Sequence, residues 1–360
     1  MPSSPLHVGI IGFGRIGNEH AGWIAAAQAS GAPVKAVAIA DGTPARADLA
    51  RSKGLRVHTT VEALLDDADV HAVLVATPTA MHFEHATAAL AAGRHVMVEK
   101  PMALDLPASR TMVDDAAARG LTLSVFHNRR WDLDYLTLRR AVQGGQLGKV
   151  INVESRLGQW SSCVGPAARE YRPNWRNEAA FGGGGLYDWG SHFVDQVWRL
   201  LWPAKPTRVF AQLRGNVWSA DCDDFARVCV DFNDGTAGMV EINTTTARPL
   251  PRWHVDATGG SIDSPHSPAF SLETWAELDV TPAGSEPNTF GPVKRLPPAR
   301  DDVLTEPQIW ARFAAACLGQ SGPAVDPRSV LCTMALLDAA RLSAREGRAV
   351  DVSAMVEWVY

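Results

Sequence analysis

Two short stretches of the chain carry residues suited to moving protons. In GGGGLYDWGSHFVD, residues 182–195, Asp188, His192 and Asp195 follow one another at spacings of four and three. Those spacings put the three side chains on one face if the stretch is helical. A histidine titrates near neutral pH and so suits proton removal at pH 7. The four glycines ahead of it point to a turn with unusual dihedrals or to a close approach of the backbone to something else. The second stretch is VEKPM, residues 98–102. Its Lys100 offers an ammonium that would stabilise negative charge developing on a nearby oxygen, and Pro101 restricts Lys100 to an extended conformation.

Residues so far apart need a scaffold. HVGIIG (7–12), VKAVAIAD (34–41), HAVLVAT (71–77), HVMVEK (95–100) and LTLSVFH (121–127) read as short buried strands, with helical stretches between them. That alternation predicts an α/β fold with a doubly wound parallel sheet covered by helices on both faces. Lys100 then falls at the carboxyl end of a strand, where ligands bind in open α/β sheets. From residue 150 the pattern changes. Residues 150–160, 207–215, 224–246 and 252–260 read as longer strands without helices between most of them, and NDGT (233–236) is a hairpin signal. They predict one large, open, mostly antiparallel sheet. Residues 262–302 read as loops around a weak strand or two, and helical patterns follow at about 305–318 and 327–347.

The bulk numbers agree with two domains. A chain of 360 residues exceeds one ordinary core, and 46% hydrophobic with 20% charged residues is the balance of a water-soluble globular protein. The division expected is 1–127 and 128–360, with helix 327–347 placed to pack back on the first domain. A net charge of −5 without a basic run argues against nucleic acid as a partner. No apolar run approaches the roughly 18 residues that cross a membrane, and MPSSPLHVGIIGFG lacks a secretory signal pattern. A cytoplasmic location is the expectation. Five cysteines, an odd number without paired metal-ligand spacing, read as reduced thiols, and no metal site is expected.

GFGRIG (12–17) follows the first strand and opens a helix, the context in which G-x-G-x-x-G binds a dinucleotide. Gly12 would allow the tight turn, Gly14 a close approach to the pyrophosphate, and Gly17 the packing of helix on strand. Free N–H groups at the helix start would face the phosphates. Asp41 ends the second strand 24 residues after Gly17, about where a carboxylate binds the adenosine ribose. It favours NAD, since it would repel the 2′-phosphate of NADP; Arg15 and Arg46 nearby leave NADP open.

GFGRIG, ATPTAMH (76–82), AAGRHVMVEKPM (91–102) and GGGGLYDWGSHFVD, in this order, resemble the glucose–fructose oxidoreductase and inositol dehydrogenase family, written Gfo/Idh/MocA. VFHNRRWDLDY (125–135) resembles its branch of scyllo-inositol dehydrogenases. The resemblance implies an N-terminal Rossmann domain, a C-terminal α/β domain with a large open sheet, and a catalytic set of Lys100, Asp188 and His192. It implies cofactor contacts from Gly12, Phe13, Gly14, Arg15, Ile16, Gly17, Asp41, Thr77, Pro78 and His82. Further contacts are implied for Glu99, Lys100, Asn128, Trp175 and Arg176. Substrate contacts are expected from Lys100, Arg129, Trp160, Asp188 and His192. Arg129 and Arg130 would bind substrate oxygens or serve structure, and Asp195 would orient His192 or cap a buried interaction. His20, His127 and His254 join no constellation in the sequence.

The implied activity is hydride transfer between NAD(P) and a secondary alcohol of a sugar, inositol or polyol. His192 would act as base, Lys100 as electrostatic stabiliser and proton relay, and Asp188 as substrate anchor. Glycoside cleavage through transient oxidation and dinucleotide-bound sugar sensing are the other readings. An exposed sheet face needs cover, so a homodimer or homotetramer through the C-terminal sheet is expected.

Overall fold

The computed structural model describes residues 5–145, 147–163, 175–265 and 277–356. They form two units, each assembled from separated stretches. Met1–Asn128, Val164–Gly182 and Leu304–Met334 make the first; Arg129–Cys163, Gly183–Val303 and Ala335–Tyr360 make the second. A cut near residue 127 thus closes only the first of three stretches.

In the first unit β1 (Leu6–Ile11), α1 (Arg15–Ala29), β2 (Val34–Ala40), α2 (Pro44–Ser52), β3 (Arg56–His58) and α3 (Val61–Leu65) are followed by β4 (Ala72–Val75), α4 (His82–Ala91), β5 (His95–Val98), α5 (Leu106–Ala118) and β6 (Leu123–Val125). The strands run parallel in the order β3-β2-β1-β4-β5-β6. Every residue of β4 is buried, the mark of a strand covered on both faces. Strand order reverses between β1 and β4, which opens a crevice beyond their carboxyl ends. Helix starts are locally encoded: Thr60 accepts from Ala63 N–H at 3.2 Å, and Asp105 from Ala108 N–H at 2.8 Å. The later helix Glu306–Cys317 opens on a capping box of Thr305 and Gln308. It packs on α1, burying Ile309, Trp310 and Phe313.

The second unit holds α6 (Leu133–Gln143), α7 (Ser191–Leu200) and a nine-stranded sheet. Its strands are β7 (Val150–Gly158), β8 (Pro206–Arg214), β9 (Phe225–Phe232), β10 (Ala237–Asn243), β11 (Trp253–Ala257), β12 (Gly260–Asp263), β13 (Asp279–Pro282), β14 (Lys294–Arg295) and β15 (Val350–Asp351). The order is β14-β13-β12-β11-β7-β10-β9-β8-β15, antiparallel except between β7 and β10. The 252–260 stretch, expected as one strand, divides instead: the chain turns at Thr258–Gly259 and β12 runs back along β11. Gly260 permits this, with φ +144° and no room for a Cβ beside the Thr281 carbonyl.

Alternation decides which face of this sheet is covered. Val153, Ser155 and Leu157 of β7 and Val240 and Ile242 of β10 are buried, and α7 packs over these strands. A Cβ on Gly238 would stand 2.9 Å from Val197 of that helix. The opposite face carries registered cross-strand ion pairs, Arg227 with Glu241 at 2.5 Å and Arg208 with Asp231 at 2.7 Å.

Candidate active site

In the first unit the glycine loop has the shape its sequence predicts. Gly12 has φ +87°, and a Cβ on it would meet the Ala76 carbonyl oxygen at 2.9 Å. A Cβ on Gly17 would lie 2.1 Å from the Gly12 oxygen, so only glycine lets α1 start this close to β1. Gly14 is the N-cap of α1, which has no side-chain cap and no acid in its first turn. Its first amides are therefore offered to an anion. Asp41, just past β2, accepts from Phe13 N–H at 2.8 Å and Thr43 N–H at 2.9 Å. Arg46 pairs with the same carboxylate at 3.3 Å, and its guanidinium carbon lies 3.6 Å from where a Gly14 Cβ would be. Arg15 turns away along its helix to Glu19, at 3.1 Å, and Ile16 fills the first turn of α1. This cradle fits a dinucleotide.

The loop beyond β4 lies beside the glycines: a Cβ on Gly12 would be 3.0 Å from the Thr77 methyl. Pro78 caps the short turn Thr79–Met81. His82, expected to contact cofactor, is buried with Nδ1 2.9 Å from the Pro101 carbonyl and Nε2 2.9 Å from the Thr77 carbonyl. It brackets this loop to the Lys100–Pro101 turn, and burial lowers its pKa. Trp175 and Arg176 form a short turn with the guanidinium 4.2 Å from the indole ring. Gly182 follows at φ +74°, where a Cβ would stand 3.0 Å from Thr79. The first unit thus brings 175–182 and the 77–82 loop together.

Lys100 follows β5, ahead of a cis peptide bond to Pro101. Glu99, also expected at the cofactor, faces inward. One oxygen lies 2.8 Å from His20 Nε2, and the other accepts from Lys100 N–H at 3.0 Å. Burial favours the neutral acid, but the His20 contact and the Lys100 charge outweigh it and hold its pKa below the ordinary value. His20 Nδ1 in turn receives the Trp310 indole N–H at 3.0 Å. Asn128 donates to Glu306 at 3.3 Å.

In the second unit the glycine run has a definite partner. Gly184 has φ +103°, and a Cβ there would come within 2.2 Å of an Asp223 carboxylate oxygen. The Asp223 main-chain oxygen accepts from Gly185 N–H at 2.9 Å, and its carboxylate from Leu186 N–H at 2.7 Å. Burial pushes its pKa up to about 6 against the pull of those N–H groups. The next residue, Asp224, caps a different loop through Val217 and Trp218 N–H at 2.8 and 3.1 Å.

Residues 186–195 do not form one α-helix. Leu186–Gly190 is a π-helical turn carrying Asp188, and α7 begins at Ser191. Such wide single turns recur at functional sites. His192 is buried in the first turn of α7, and Asp188 is half-buried. Between them Trp189 lies 4.6 Å below the Arg129 guanidinium, whose Nη1 pairs with Asp132 at 3.2 Å. Each oxygen of Asp195 accepts from Arg130. Behind α7, Arg252 binds Asp134 and donates to Gln196 at 2.9 Å, and Trp253 donates to Asp134 at 2.7 Å. Burial pushes Asp132 up to about 6 in this cluster; Arg129 and Arg252 oppose the rise and Asp134 adds to it. Trp160 closes β7 with 59% of its surface exposed, edge-on to Trp218 at 5.3 Å.

Sequence reasoning missed Asp223, His20, Trp310 and Arg252. All four join their sites through contacts between distant stretches of chain.

The family model described as "Oxidoreductase family, NAD-binding Rossmann fold" (GFO_IDH_MocA) matches residues 6–127, and "GFO/IDH/MocA C-terminal domain" matches 135–263. The chain is 35% identical over 221 residues to the "Uncharacterized oxidoreductase YdgJ" of Escherichia coli (strain K12), covering 61% of this chain and 60% of that protein. It is 31% identical to "scyllo-inositol 2-dehydrogenase (NADP(+)) IolW" of Bacillus subtilis (strain 168), over 48% of this chain and 46% of that one. The chain thus aligns with about half the length of these relatives. Among solved structures, an NAD-binding protein from Listeria innocua superposes with TM-score 0.84 at 28% identity, covering 97% of both chains. The chain belongs to the GFO/IDH/MocA oxidoreductase family, and its first unit is an NAD-binding Rossmann domain. Among the described residues no helix is long and apolar enough to cross a membrane.

Proposed function

We propose that this chain transfers hydride between a nicotinamide dinucleotide and a secondary alcohol of a sugar, inositol or polyol. The observation that carries the reading is the π-helical turn bearing Asp188 and leading into His192, held at its start by Asp223 and flanked by the Arg129–Trp189 stack. The first-turn amides of α1 and the Gly12–Gly17 loop would hold the pyrophosphate, and Asp41 the adenosine ribose. Thr77, Pro78, Trp175 and Arg176 would line the rest of the cofactor's path. When bound, the dinucleotide supplies the hydride acceptor.

The protein's own part is the proton. His192 takes it from the substrate hydroxyl as general base, and Lys100 stabilises the alkoxide charge that develops. Asp188 accepts from a neighbouring substrate hydroxyl and fixes which alcohol is presented. Arg129 and Trp160 contact more distant parts of the substrate, a guanidinium edge for oxygens and an indole face for ring C–H groups. NAD is preferred, because the Asp41 carboxylate repels a 2′-phosphate.

A turnover screen tests this reading. NAD and NADP are each offered with inositols, aldoses and sugar alcohols, with Lys100→Ala as control. Turnover on one class, lost in the variant, is expected; bound NAD without turnover on any member would overturn it. The open face of the nine-stranded sheet is the surface we assign to self-association. Sedimentation should show a dimer or tetramer; a monomer would remove this face from that role.

A further inference from the structure

His20 is fully buried, edge-on to Phe126 at 4.3 Å, Trp23 at 4.8 Å and Trp310 at 5.6 Å. Its two ring nitrogens have different partners, Trp310 Nε1–H at 3.0 Å and a Glu99 oxygen at 2.8 Å. An indole N–H donates and cannot accept. Nδ1 of His20 must therefore present a lone pair, which makes the ring neutral with its one proton on Nε2. That proton points at Glu99. The other Glu99 oxygen accepts from the backbone N–H of Lys100 at 3.0 Å. The buried carboxylate thus has two donors, the His20 ring and the Lys100 peptide.

We infer that Trp310 and His20 are positioning residues for Lys100. The indole selects one tautomer of His20, that tautomer fixes the Glu99 carboxylate, and the carboxylate holds the peptide N–H of Lys100 at the end of β5. Without the indole, His20 is free to carry its proton on Nδ1. Its Nε2 lone pair would then face a carboxylate oxygen and push it away. Of the groups in contact with the ring, Glu99 carries charge, and Trp23, Phe126 and Trp310 do not. This inference rests on the role proposed above for Lys100.

Trp310→Phe keeps an aromatic ring at the position, removes the N–H donor and leaves the space of one ring. With ¹⁵N-labelled histidine, wild-type His20 should show the Nε2–H tautomer alone. Trp310→Phe should show mixed tautomers. Amide exchange at Lys100 should quicken about tenfold in the variant. On whichever alcohol the screen finds, kcat should fall about tenfold with KM and NADH affinity within twofold. Glu99→Gln offers one acceptor oxygen to two donors and should quicken Lys100 exchange similarly. Two results would overturn the inference: a His20 that keeps its single tautomer in Trp310→Phe, or a freed tautomer with unchanged exchange at Lys100 and unchanged kcat. Absence of turnover in the wild type would count against the proposed function, while the histidine and amide readouts still decide this point.

Discussion

Arg130 grips Asp195 through both arms of its guanidinium, at 2.8 and 2.7 Å, with both side chains buried. A buried ion pair adds little over an apolar pair of the same size, but losing one partner strands a charge. Asp195→Ala should destabilise the protein by about 3–5 kcal/mol. Arg130→Met combined with Asp195→Leu should recover most of that loss. Urea unfolding of the two variants checks both statements; equal losses would mean that packing, and not stranded charge, sets the cost.

His192→Ala should lower kcat by about 10²–10⁴-fold and leave NADH binding, followed by fluorescence, unchanged. Near-normal turnover would remove His192 from its role as base.

Gly184→Ala places a Cβ 2.2 Å from the Asp223 carboxylate at a φ of +103°. It should cost about 1–3 kcal/mol and reduce kcat, because the displaced carboxylate is the one that holds the turn bearing Asp188. Gly22→Ala is the contrast. Its Cβ would meet nothing within 4 Å inside α1, so it should stabilise the protein by about 0.5–1 kcal/mol. Thermal unfolding of the pair separates the two kinds of glycine.

Asp41→Ala removes the carboxylate and leaves Arg46 without that partner. The KM for NAD should rise about tenfold or more, while that for NADP should fall. Steady-state kinetics with both cofactors decides it, and an unchanged preference would mean that Asp41 does not read the ribose.

Asp223 and Asp132 have folded-state pKa values raised to about 6 from 3.8. A raised carboxyl pKa contributes stability that is present below about 3.8 and lost as pH climbs through 6. Glu99 is shifted down and works in the opposite sense, its contribution present above 4.5 and lost on acidification below it. Asp223→Asn cannot ionise. Its Tm relative to wild type should therefore rise between pH 4 and pH 7; a constant difference across that range would show that Asp223 does not titrate there.

How much the sequence revealed follows the range of the interactions. Short apolar runs located the parallel strands, because each depends on neighbours a few residues away, and GFGRIG with Asp41 located the cradle, because that motif recurs at a fixed spacing of strand, helix and strand. Residues 252–260 read as one strand although Gly259–Gly260 is a turn signal, and the pairing of Ala257 with Gly260 shows where it divides. The spacing of Asp188, His192 and Asp195 did not reveal the π-helical turn. That turn depends on Asp223, some 35 residues later in the chain. His82 and Glu99 sit in motifs whose order is legible, but only burial shows them turned inward. His20 seemed isolated for the same reason: its partners are residues 99 and 310.

The interleaved first unit sets the timing of its own synthesis. Residues 1–128 contain every strand of the parallel sheet, yet the helix that covers α1 and seats Trp310 on His20 starts at Glu306. At about 5–20 residues per second, a ribosome needs roughly 10–40 s to travel from one to the other. Throughout that interval His20 lacks the indole that its Nδ1 accepts from. Completion of the nucleotide fold therefore waits until residues 306–317 have been made, and truncation ahead of residue 306 should yield a chain that chaperones retain.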